Sequence, residues 1–268
     1  MIAIFTIAGS AVYAAEIPVS DQDQLITSSD WTEISNLQDE MKKEEPDATI
    51  DYDKALKVYV DCNLIKLQTA DTKKLTSALE SANYVWVIPF KMEKTYGMFT
   101  VAKGLPLSEE AKSVLTKAEQ EEVKNHAGKW MITETAEHTV EPYYDILLEK
   151  REALSDCTRV VLVGSQPGMR QPVALGMDDE TARIWISLGY QYPVMEKIPE
   201  TQNVESGVYS FDSVAEISDT YIEDSEVSTG AGVQSRSSMK YVAGIGIIVI
   251  GSILILSVLK KKKLEDYE

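Results

Sequence analysis

The sequence predicts an α+β protein: an extracytoplasmic body of two helix-strand-helix-strand-strand halves, forming a mixed sheet packed by helices, plus one C-terminal transmembrane helix. Three observations carry this expectation. Between residues 30 and 198 the apolar spacing switches repeatedly between a helical period and a strand period. Shifted by 75 residues, Tyr84–Gly104 falls on Arg159–Asp179 without a gap, so that Val85 meets Val160, Val87 meets Leu162 and Met98 meets Val173. Such self-similarity suggests an internal duplication. Finally, Tyr241–Leu259 is 19 residues long and uncharged, and Lys260, Lys261, Lys262 and Lys263 follow at once.

The elements follow in order. Trp31, Ile34, Leu37 and Met41 mark one face of a helix that Ser29 or Asp30 caps and Pro46 stops. Leu56, Val58, Val60 and Cys62 alternate with Lys57, Tyr59 and Asp61, the pattern of a half-buried strand. Asp71 opens a second helix, with Leu75, Ala78, Leu79 and Ala82 on its apolar stripe. "YVWVIPF" and "GMFTVAKG" read as two strands joined by a polar turn. The second half repeats the order. Ser108 caps a helix whose Ala111, Val114, Leu115 and Ala118 share a face, and Gly128 ends it. "WMITET" is a strand, and Pro142 opens a helix through Leu154 with Tyr143, Ile146 and Leu147 inward. "TRVVLVGS", "QPVALGM" and "ARIWISLG" are the closing strands.

The two ends set the topology. As a helix, residues 241–259 span roughly 28 Å, about the hydrocarbon thickness of a bilayer. Four lysines are costly to translocate and stay cytoplasmic. At the other end, residues 1–15 read as a signal peptide, with cleavage near Ala14 or Ala15. No Lys or Arg precedes its apolar run, so the expectation is a start further upstream or, alternatively, a short anchor. The domain plan is therefore a signal peptide (1–15), a loose segment (16–29), an α+β domain (30–198), an acidic Ser-rich stalk (199–239), a membrane helix (240–259) and a cytoplasmic tail (260–268). Residues 201–239 hold seven acids against Arg236 alone, too polar to bury much surface, with "VYSFDSVAEI" as a candidate short addition to the body.

Formal net charge is -17, from 26 basic and 43 acidic residues. Such a chain repels phosphate backbones, so nucleic acid is not an expected partner. The cysteines are Cys62 and Cys157, both at apolar positions. If they meet in one core outside the cytoplasm they form a disulfide; otherwise they are buried thiols. With two cysteines and two histidines, His126 and His138, no zinc-type spacing exists. No metal or other cofactor is implied.

The loop Gly164–Gly168, "GSQPG", is the strongest lure for chemistry. A nucleophile elbow needs its serine between two glycines at a strand-to-helix turn, and a phosphate loop needs a helix to follow. Here Ser165 directly follows Gly164 and a strand comes next, so the loop reads as a hairpin turn. Asp178, Asp179 and Glu180, like Asp21 and Asp23, lack calcium-loop spacing and read as solvated acidic turns. Trp86, Trp130, Trp185, Tyr190 and Tyr192 read as core or cross-strand aromatics. No catalytic constellation appears, so an enzyme is not expected. The resulting expectation is a single-pass cell-surface protein whose extracytoplasmic domain binds an unidentified ligand or protein partner. Alternatives are an accessory subunit of a membrane complex and an envelope enzyme with an unrecognised site.

Overall fold

The computed structural model describes residues 17–138, 141–164, 166, 169, 171–190, 192–199 and 203–218. The signal-peptide, membrane-span and lysine-tail expectations, including Lys260 to Lys263, lie outside the described residues. Among the described residues no helix is long and apolar enough to cross a membrane.

The fold is α+β with a large mixed sheet packed by helices, as expected. Its strands are β1 (Thr49–Ile50), β2 (Leu56–Tyr59), β3 (Tyr84–Lys91), β4 (Tyr96–Lys103), β5 (Trp130–His138), β6 (Arg159–Val163), β7 (Val173–Met177), β8 (Ala182–Ser187), β9 (Asn203–Glu205) and β10 (Val208–Ser210). They run in the order β5-β4-β3-β2-β6-β7-β8-β10-β9, with β1 beside β3. Two antiparallel meanders thus join side by side. The joint is the parallel pairing of β2 with β6, which covers only Val58 with Leu162 and Tyr59 with Val163.

Strand alternation sends side chains to two covered faces. One face carries Tyr59, Val161, Leu175 and Trp185, under Leu75 and Leu79 of α3 (Thr72–Glu80) and Phe211 and Val214 of a helix over 211–218. On the first meander the same face carries Trp86, Ile88, Phe90 and Phe99, under Ile34 of α1 (Trp31–Ile34) and Met41 of α2 (Gln38–Glu44). The opposite face carries Leu56, Val58, Val87, Val160, Leu162 and Ile186, under Tyr143 and Leu147 of α6 (Tyr143–Glu149). Asp71 caps α3 as expected, accepting from the Lys73 and Lys74 amides.

Several expectations change. The helix expected over 108–127 is two: α4 (Glu109–Val114) and α5 (Lys117–His126). Thr116 breaks it by capping α5 in a reciprocal box with Glu119, and this leaves Val114 68% exposed. The helix beginning at Trp31 passes through a 3-10 turn at Ser35–Leu37. Strand β2 is covered on both faces because it is central, so Lys57 and Tyr59 point into the protein. The "loose" segment is packed, with Ile17, Val19, Asp23 and Leu25 buried. The body also extends into the expected stalk, since β9, β10 and helix 211–218 belong to it.

The 75-residue shift holds for β3 and β6 but not for their partners. Met98 lies on the α6 face, whereas Val173 lies on the opposite one. One residue of register separates the two hairpins, and a one-residue slip turns every side chain over. In addition, the shifted counterpart of β2 is β5, which pairs with β4 at the sheet edge rather than with β6. The sheet is therefore two meanders, but not two copies in the gapless register.

Gly176 illustrates how tightly the helix face is fitted. A β-carbon there would lie 2.8 Å from Cys157 Sγ and 2.9 Å from Ile184 Cγ1. Gly176→Ala is expected to cost about 1–3 kcal/mol in chemical denaturation, as overpacking does. Cys157→Ala in the same chain is expected to recover part of that loss, and additive effects would show that the contact is not the cause.

Candidate functional site

A dense polar constellation lies where the two meanders join. Below the short β2–β6 pairing the strands diverge, and residues 17–25 fill the gap. Val19 bridges Val160 in parallel and Gln24 bridges Leu56 in antiparallel fashion. The Val160 amide donates to Pro18 O at 2.7 Å, and the Leu25 amide to Ala55 O at 3.2 Å. Ile17 and Val19 pack on the α6 face while Leu25 packs under α1 and α2, so the segment threads from one side of the sheet to the other.

Asp23 sits in this passage, 2% exposed. Its carboxylate accepts from Ser20 Oγ at 2.6 Å, Tyr59 Oη at 2.8 Å and Arg159 Nη2 at 3.0 Å. Lys57 Nζ stands 3.9 Å from Asp23 Oδ1. The Lys57 ammonium also lies over the rings of Tyr84, Trp86 and Tyr59, at 4.5, 5.2 and 5.9 Å from their centroids. Asp30 closes the cage from outside, accepting from Tyr84 Oη at 2.8 Å and Trp86 Nε1 at 3.0 Å. Its side chain makes no helix-capping bond.

The electrostatics follow from burial. Desolvation holds the Lys57 ammonium below the ordinary lysine range, against the pull of Asp23 and Asp30. Desolvation also pushes the Tyr59 phenol up, with the Asp23 charge adding to it. Arg159 Nε is buried without a hydrogen-bond partner. Two cations, two carboxylates and three aromatic rings thus fix residues 17–30 against β2, β3 and β6. Sequence reasoning missed the cluster because it placed Lys57 and Tyr59 on a solvent face. The available signal was the aromatic pair Tyr84 and Trp86, two positions apart and so on the same face of a strand.

The expected candidates are otherwise dispersed. Antiparallel β6 and β7 flank residues 164–172, with Val163 opposite Val173. Gln166 in that connection is buried, accepting from the Leu64 amide and donating to Cys62 O at 2.7 Å and Gly164 O at 3.1 Å. It is a strut to the turn after β2. Ser165, Pro167 and Gly168 lie outside the described residues.

Cys62 and Cys157 are not brought together. Both are free thiols, Cys62 against the cluster under α3 and Cys157 against the cluster under α6, on opposite sides of the sheet. Burial pushes each thiol up to about 11. Asp178 spends its carboxylate on the Glu180 and Thr181 amides and on Arg183, which hold it below the usual carboxylate range. Asp179 accepts from Thr158 Oγ1. Trp185 stacks on Phe211, Trp130 meets Tyr84, and Tyr143 reaches Tyr190 across 3.4 Å. Tyr192 donates to Pro172 O. Among the described residues no group of three or more His, Cys, Asp or Glu is placed to hold a metal ion. No family model, curated protein or solved structure matches the chain.

The two charges facing each other have unequal weight. Asp23→Ala strands Arg159 and is expected to cost about 3–5 kcal/mol, whereas Lys57→Met leaves the Asp23–Arg159 pair intact and is expected to cost within about 1 kcal/mol. Denaturant melts of both variants check this. Because the folded Lys57 value is lowered, the folded state binds fewer protons, and wild type gains stability as pH rises towards the unfolded lysine value. Its stability relative to Lys57→Met is therefore expected to improve as pH rises towards the ordinary lysine range, about 10. A flat difference would mean that Lys57 is solvated.

Proposed function

We propose that this chain is a single-pass membrane-anchored protein of the cell surface, with its α+β body outside the cytoplasm acting as a binding module. The observation that supports the reading best is the uncharged run 241–259 with Lys260 to Lys263 immediately behind it. The apolar run from Ile2 to Ala15 and the acidic linker after residue 218 agree with it. The body suits binding more than chemistry. The charged cluster around Asp23 is engaged within the chain, joining Asp23 to Tyr59 and Arg159, so it serves the fold rather than a reaction. A protein partner at the surface or in the membrane is the expected ligand class.

Protease shaving of intact cells tests the topology. The body is expected to be released or degraded while an epitope after Lys263 survives. Protection of the body with loss of that epitope would reverse the orientation. Deleting residues 240–268 is expected to move the protein from the membrane fraction to the medium, and retention in the membrane would point to anchoring elsewhere.

A further inference from the structure

We propose that the slot between β2 and β6 is an exchangeable binding site for a short acidic segment, filled in the monomer by residues 17–25 and open to the same segment of a second copy. Three features point to this. The strands diverge at the slot after only two directly paired positions, so their backbone beyond is completed by the inserted segment rather than by each other. That segment contains no regular element longer than a three-residue 3-10 turn, and it holds to β2 and β6 through isolated bridges. Its recognition is chemically specific: a carboxylate between Arg159 and Tyr59, flanked by β-branched Val19 on one face and Leu25 on the other.

Segments with few cooperative backbone bonds open at lower free energy than the sheet that receives them. Once open, the slot offers backbone groups on β2 and β6 that only an inserted segment pairs, at Val160 and Leu56. Lys57 and Arg159 beside those groups select an acid at the position of Asp23. The chain's own segment carries this pattern, Val19, Asp23 and Leu25 in order, so a second copy is the matching occupant. The slot is internal to the body, so failure of this idea and failure of the membrane reading are separate outcomes.

The test uses the unmodified full chain and a fluorescent synthetic peptide of residues 17–28, at denaturant concentrations below the global unfolding midpoint. Saturable binding by anisotropy is expected, and it should weaken about tenfold for the Asp23→Asn peptide, as for loss of one charge-assisted bond. Two full-length populations carrying different tags are expected to co-purify after mixing under the same conditions. Hydrogen exchange of the unliganded chain should show the amides of residues 17–25 opening at lower denaturant than those of β7 and β8. Equal binding of a scrambled or Asp23→Asn peptide would overturn the recognition. Exchange of 17–25 only with global unfolding, or differently tagged chains that never co-purify, would overturn the site's exchangeability.

Discussion

The structure depends on one buried carboxylate. Asp23 lies where two antiparallel meanders meet, and those meanders pair directly over only two positions. A parallel joint so short has little stability of its own. The passage of residues 17–25 through the gap supplies the missing backbone partners, and Asp23 holds the passage in place through Tyr59 on one meander and Arg159 on the other. A charge at this depth is tolerable only because each oxygen has a charge-assisted or hydroxyl donor. The helices then complete the joint. Helix α6 packs on side chains of both meanders from one side, and α3 reaches from Tyr59 to Trp185 on the other.

The arrangement also explains the uneven character of the polar residues. The charged groups at the joint have their charges matched by neighbours, and Gln166 is shared between two backbone segments. Such groups specify which segment meets which strand. The periphery is looser. The α4–α5 excursion from β4 to β5 buries little beyond Ala111 and Val123, and each of its helices relies on a capping side chain, Ser108 or Thr116. Local capping defines structure there because tertiary packing contributes little.

Much of the fold was legible. Most strand and helix identities from Trp31 to Ser187 follow from period-2 and 3.6 spacing, with Asp71 and Ser108 as readable caps, although β1 was not read and α6 stops at Glu149 rather than at Leu154. The α5 boundary carries a local signal, since Thr116 and Glu119 have capping-box spacing, whereas the apolar stripe through Ala111, Val114, Leu115 and Ala118 reads as one unbroken helix. The site was much less legible. Lys57 and Tyr59 alternate correctly for a solvent face, and nothing local says that β2 is central. Likewise the acids of residues 21–23 look like a solvated turn until Arg159, far along the chain, is brought beside them.

By itself the sequence determined the α+β class, the hairpins and the helix caps at Asp71 and Ser108, because each depends on residues close together in the chain. Only the tertiary structure decided the strand order, the separation of Cys62 from Cys157, the register that breaks the apparent repeat, and the burial of Asp23. These depend on which distant strands become neighbours. Sheet alternation reads the same whichever strand lies alongside, so side-chain parity reports a face but not what covers it.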